Sequence, residues 1–163
     1  MSAIRARRLL GATAGLMLIA LIAVLARGTG TQMTADDLAF LGQTVASEQI
    51  GLGQALYAQN CASCHGANLE GQPNWRRRLD SGRMPAPPHD ESGHTWHHSD
   101  QDLFKLTKFG VGAVVPGYES DMPAFEGILS DRQIMAVLAY IKSQWPEQIL
   151  AKQAELTQQH RDR

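Results

Sequence analysis

The sequence predicts an all-α protein. Three stretches repeat apolar residues at helical spacing, two of them open on a capping residue, and nothing alternates convincingly at period two. These helices bound a folded part over residues 48–146, preceded by an apolar leader and a polar link and followed by a polar tail. With 163 residues and no internal repeat, the length suits one domain with appendages.

Arg5, Arg7 and Arg8 precede an apolar run from Leu9 to Ala26, broken only by Gly11, Thr13 and Gly15. A positive flank followed by an apolar stretch is an export signal. The run is long enough to span a bilayer and longer than the usual apolar stretch of a cleaved signal. Residues 1–27 are therefore expected to remain as a single-pass transmembrane anchor in a bacterial cytoplasmic membrane. The arginines then stay on the cytoplasmic side, and everything after Arg27 lies in the periplasm. Val24-Leu25-Ala26 also resembles a small-residue cleavage site, whose use would leave a soluble periplasmic protein.

Residues 28–47 are polar and read as a tether, with a short helix expected from Asp36 to about Val45. The first helix of the folded part follows. Gly53, Leu56, Tyr57 and Asn60 share one face of it and lead straight into Cys61. Ser99 is placed to cap a second helix, with Asp100 and Asp102 in its first turn. Leu103, Leu106 and Phe109 would form its apolar face, and Gly110 its end. Ser130 and Gln133 have capping-box spacing ahead of Ile134, Val137, Leu138, Ile141 and Trp145, and Pro146 stops that helix. The tail, 147–163, carries Ile149, Leu150, Ala154 and Leu156 among long polar residues and reads as a marginal surface helix.

The chemistry is concentrated in Cys61-Ala62-Ser63-Cys64-His65, which uses both cysteines of the chain. A C-x-x-C-H sequence reads as a c-type haem attachment site. Two thiols three residues apart on one helical turn can each add to one vinyl group of a single porphyrin. The histidine that follows then comes under the iron as an axial ligand. A thioredoxin-like pair would want a preceding buried strand and a βαβ pattern, and a zinc ribbon a second cysteine pair; neither is visible. One motif implies one covalently attached haem c per chain. Removing Arg5, Arg7 and Arg8 from the 15 basic residues leaves 12 against 16 acidic ones, a formal net charge of −4 from Arg27 onward. That gives no sign of nucleic-acid binding.

Over residues 48–146 the chain resembles the class I cytochromes c. The resemblance rests on a short helix ending in Cys-Ala-Ser-Cys-His, a Met-Pro in a Gly-rich loop, and a closing helix with Ala139-Tyr140-Ile141-Lys142. It implies the class I cytochrome c fold, in which the first and last helices cross at a small residue and aromatics. Here that means Gly53 and Tyr57 meeting Val137 and Tyr140. It also implies a methionine sulfur as second axial ligand to iron, for which Met122 in Asp121-Met122-Pro123 stands in the family's position, with Met84 in Arg83-Met84-Pro85 as the rival. A proline-rich loop carbonyl, that of Pro87 or Pro88, would accept the Nδ1 proton of His65.

With both axial positions filled by protein, what remains is outer-sphere transfer of one electron, with no catalytic residues in the chain. The resemblance thus implies a carrier between respiratory-chain components: a quinol-oxidising complex, a dehydrogenase or a terminal oxidase. The haem subunit of a larger periplasmic oxidoreductase is the alternative.

One region departs from the family's minimal pattern. Trp75 precedes Arg76, Arg77 and Arg78, and His89, His94, His97 and His98 follow. Two roles are open to this loop. It can cover the haem edge, with arginines pairing propionates, or it can hold copper or zinc in a metal-sensing or metal-handling protein. Clustered imidazoles alone define no coordination geometry.

Overall fold

A glycine at position 53 is what allows the first helix to reach the last one. Helix α1 (Ser47–Asn60) buries Gly53, Leu56 and Tyr57 against helix α4 (Asp131–Ser143). A β-carbon at Gly53 would stand 2.0 Å from the Ala136 carbonyl oxygen and 2.9 Å from Tyr140 Cβ. One turn on, the Tyr57 and Tyr140 rings lie 5.5 Å apart, tilted at 55°. The expected crossing is therefore present, but Gly53 meets Ala136 and Tyr140 rather than Val137. This computed structural model describes residues 38–163, so the expected anchor over 1–27 and most of the expected tether lie outside the described residues. Among the described residues, no helix is long and apolar enough to cross a membrane.

Between α1 and α4 the chain forms the short helix α2 (Ala62–His65), a 3-10 turn at Thr95–His97, helix α3 (Asp100–Phe109) and a second 3-10 turn at Val111–Ala113. Helix α3 starts where its sequence says it should. The Ser99 hydroxyl accepts the Asp102 N–H, and Gly110 ends the helix at φ 87°. Its face is only partly the expected one, since Leu103 is buried but Phe109 is 46% exposed. Thr107 is buried instead, its hydroxyl satisfied by the Leu103 carbonyl at 2.9 Å. Helix α4 begins on a complete capping box of Ser130 and Gln133 and buries Ile134, Val137, Leu138 and Ile141, with Trp145 closing the core.

Two appendages pack on this frame, and both differ from expectation. Where a helix was expected over 36–45, the described part, 38–45, is a hairpin, with β1 (Ala39–Phe40) antiparallel to β2 (Gln43–Thr44) and Leu38, Phe40 and Val45 buried in the core. Its turn places Leu41 at φ 52° and Gly42 at φ 79°, the left-handed pair of a tight hairpin. Glycine adopts this freely; leucine does not, and its N–H is held by Asp100 Oδ2 at 2.8 Å. Among the described residues the fold is thus helical, with one ribbon of two two-residue strands. The tail is helix α5 (Glu147–Arg161), which is docked and not marginal, because Gln153 and Thr157 are buried.

Both appendages converge on Asp100. Its Oδ1 accepts Lys142 Nζ at 2.9 Å and Gln153 Nε2 at 2.8 Å, and its backbone N–H reaches Thr157 Oγ1 at 3.1 Å. Lys142 also donates to the Ala39 carbonyl at 2.9 Å. The helix of the tail was expected, but not its docking, because the residues it buries, Gln153 and Thr157, are polar.

The crossing generates a direct test. Gly53→Ala is expected to cost about 1–3 kcal/mol by overpacking, although alanine favours a helix over glycine by about 1 kcal/mol. Gly51→Ala on the same helix, where a β-carbon meets open space, is expected to stabilise slightly. Denaturant titration of both variants checks the contact, and equal behaviour would refute it.

Candidate haem site

Helix α1 delivers the motif. Its hydrogen-bond pattern continues past Asn60, with Cys61 N–H on the Tyr57 carbonyl at 2.8 Å and His65 N–H on the Cys61 carbonyl at 2.9 Å. Cys61, Cys64 and His65 therefore occupy about one helical turn beyond the helix crossing. Both thiols are free, Cys61 half-buried and Cys64 exposed. Burial, and then the neighbouring Cys64, push the Cys61 thiol up to about 11.

His65 is buried, at 7% exposure. Its Nδ1 lies 2.8 Å from the Pro87 carbonyl oxygen. A carbonyl only accepts, so Nδ1 carries the proton and Nε2 keeps its lone pair for a metal. Burial lowers the His65 pKa, and the Pro87 bond opposes that in part. Of the two prolines that sequence left open, the carbonyl at Nδ1 is that of Pro87.

Two glycines explain how that carbonyl reaches its place. A β-carbon on Gly71 would fall 2.4 Å from Pro88 N, and one on Gly93 would fall 1.9 Å from the Pro88 oxygen. The Pro87-Pro88 backbone runs between these two close approaches. Gly71 also takes a φ of 68°, which an L side chain resists. The segment is further pinned by Gln72 N–H to the Ala86 carbonyl at 2.9 Å and Ala86 N–H to Gln72 Oε1 at 2.8 Å.

The two methionines differ in their packing. Met122 is half-buried against the hydrophobic core, whereas Met84, also half-buried, does not pack on it. The Met122 N–H is held by Ser120 Oγ at 3.1 Å, and Phe125 and Glu126 donate to the Thr107 and Lys108 carbonyls. Arg83 pairs with Asp121, joining the Arg83-Met84-Pro85 and Asp121-Met122-Pro123 segments. Sequence showed the two Met-Pro pairs but not that the residues before them form an ion pair 38 positions apart.

The histidines expected in one loop divide. His89 leaves the others and stacks on His65, ring centroids 3.9 Å apart. Burial, then the charge of His65, lowers its pKa well below the usual histidine value. His94 lies 5.1 Å from His97 and 4.9 Å from His98, while Trp96 stacks on His97. Burial, with repulsion from neighbouring imidazoles, lowers the pKa of His94 and His98. Among the described residues, no group of three His, Cys, Asp or Glu side chains is arranged to hold a metal ion. Of the arginine run, Arg76 lies 4.0 Å over the Trp75 ring and donates to the Ser92 carbonyl, and Arg77 and Arg78 are exposed.

Two free thiols on one turn beside an imidazole with its Nε2 unclaimed form the donor set that a covalently attached haem requires. The Cytochrome c family model matches residues 50–145, and the chain belongs to that family. It is accordingly a haem-based electron-transfer protein, with covalently bound haem c as the family's cofactor. Among curated proteins it resembles the Cbb3-type cytochrome c oxidase subunit CcoP of Rhodobacter capsulatus, 28% identical over 102 residues. That alignment covers 63% of this chain and 31% of the subunit, so the chain matches about a third of that relative's length. No solved structure matches.

Acid-acetone extraction tests the thiols. The haem is expected to stay with the protein through thioether bonds at Cys61 and Cys64. Either Cys→Ser change should impair covalent loading, and the double change should abolish it. Extraction of all haem from the unaltered protein would refute the assignment.

Proposed function

We propose that this protein is a membrane-tethered one-electron carrier with one haem c per chain, working between respiratory-chain components at the outer face of the cytoplasmic membrane. Cys61 and Cys64 hold the group, and His65 and Met122 are its axial ligands. Bound haem supplies a one-electron iron couple. The observation that carries the proposal is His65 itself: buried, its Nδ1 committed to the Pro87 carbonyl at 2.8 Å and its Nε2 left for iron.

Each side chain then has a stated task. Hydrogen bonding by Pro87 orients the imidazole and strengthens it as a donor. Met122 packs on the core from the loop before α4, and a thioether ligand raises the reduction potential relative to a second imidazole. With His65 and Met122 both on the iron, no open position would be left for a substrate, and the group would supply one-electron transfer alone. Arg5, Arg7 and Arg8 ahead of the apolar run support retention in the membrane with the haem domain in the periplasm. Cleavage after Ala26 would instead leave a soluble periplasmic carrier.

A second reading draws on the similarity to an oxidase subunit. In it the chain is the cytochrome subunit of a larger oxidoreductase, passing electrons within that assembly to a terminal oxidase centre. Purification from membranes in mild detergent separates the two, since a subunit copurifies stoichiometrically with a large catalytic chain and a free carrier does not.

Met122→Ala is expected to abolish the long-wavelength ferric band that reports thioether ligation, and Met84→Ala to leave it. The reverse result would exchange the two ligands. The protein is also expected in the membrane fraction after salt and carbonate washes, because a spanning apolar helix is not released by screening charge. Mass spectrometry of a mature chain beginning at Arg27 would establish cleavage instead.

A further inference from the structure

His89 is held more firmly than a core-filling residue needs to be. Its N–H donates to the Leu69 carbonyl at 2.8 Å, and its own carbonyl accepts Trp145 Nε1 at 2.7 Å. Its ring Nδ1 lies 2.7 Å from the hydroxyl of buried Thr95. The Tyr57 ring meets it at 74° with centroids 6.0 Å apart, and Tyr57 is itself fixed by its hydroxyl on the Gly66 carbonyl at 3.0 Å. Leu69 and Trp145 thus hold the backbone of His89, and Thr95 and Tyr57 hold its ring. The face left to it lies against His65, 3.9 Å between centroids and 24° from parallel.

We propose that His89 is a positioning residue for His65: its ring, stacked on the His65 imidazole, fixes the plane in which Nε2 is presented to iron. The proposal rests on the reading of His65 as axial ligand. The Pro87 carbonyl fixes where Nδ1 points, but one hydrogen bond leaves the ring free to rotate about that direction. A flat, immobile neighbour against the ring face removes this freedom. The partner must be flat, because contact over a whole ring face resists tilting in a way that a branched aliphatic side chain does not. Thr95 supplies the immobility. Its hydroxyl points to the Pro88 carbonyl at 3.5 Å, so its oxygen is left to accept from His89 Nδ1–H. The Gly93 contact that seats Pro88 also carries the chain on to Thr95, so both restraints on His65 come from one loop.

The orientation of an axial imidazole relative to the porphyrin nitrogens sets the g anisotropy of low-spin ferric haem. The strength of its Nδ1–H bond sets how well the ligand stabilises ferric iron. Both are read on the haem-loaded protein, by low-temperature electron paramagnetic resonance and by redox titration. His89→Leu keeps the volume and loses the planar partner. It is expected to shift or split the largest g value and to raise the reduction potential as the Pro87 bond loosens. His89→Phe keeps a planar ring without the Thr95 bond and is expected to move both readouts less far than His89→Leu does. Thr95→Val leaves the His89 ring in place but unanchored, and is expected to shift the g value in the direction seen for leucine. It carries the test if the leucine variant does not load haem. Unchanged spectra in His89→Leu, or in Thr95→Val where the leucine variant fails, would overturn the proposal. So would a phenylalanine variant displaced as far as leucine. If the unaltered protein lacks a low-spin ferric signal, the axial-ligand reading fails instead, and that outcome is distinct.

Discussion

The close approach of α1 and α4 at Gly53 is the constraint on which the rest depends. A backbone carbonyl occupies the place of the missing side chain, so the two helices meet at a separation that no other residue at that position would permit. Tyr57, one turn along, is thereby pressed between Tyr140 and His89. Its hydroxyl ties down the Gly66 carbonyl immediately after the motif. The thiols and His65 continue the same helical run. A relaxation of the crossing would move the motif, its imidazole and the ring behind that imidazole together.

Asp100 is a second constraint, acting at the edge of the frame. Its carboxylate and Lys142 are almost fully buried, and both are bonded to further partners from the hairpin and from α5. Burial lowers the Lys142 pKa, and the attraction of Asp100 opposes that loss. Pairs of this kind add little net stability over an apolar replacement, yet removing one partner leaves an uncompensated charge that costs about 3–5 kcal/mol. Their use here is to specify where the elements flanking the family-matched region dock. Residues 38–45 and 147–161 lie outside 50–145, and a polar hub holds both to it.

The imidazoles show how place sets chemistry. His65 and His89 are drawn into the interior, where burial disfavours the cationic form and leaves neutral rings suited to coordination and to stacking. His94 and His97 lie at the surface in the next turn and cluster with His98, without the convergence that a metal requires. Of four similar residues within ten positions, His89 alone turns in against His65 and Tyr57, and the other three cluster with one another.

The sequence by itself determined what local rules control. Capping by Ser99 and Ser130, the apolar faces of α1 and α4, and a Cys-Ala-Ser-Cys-His motif on a helical turn all depend on residues within a few positions of one another. The helical frame and the turn that carries both thiols and His65 were therefore legible. What depends on distant partners was not. The Pro87 carbonyl was separated from that of Pro88 by two glycines whose close approaches lie outside the proline run. The hairpin at Leu41 depends on a carboxylate 59 positions away, and the docking of α5 on polar groups that resemble a solvated face until Asp100 is beside them. His89 carried no local signal distinguishing it from His94 or His97. Only the folded chain brings Leu69 and Trp145 to its backbone and Tyr57 and His65 to its ring, because such contacts are fixed by packing across the core and leave no periodicity in sequence.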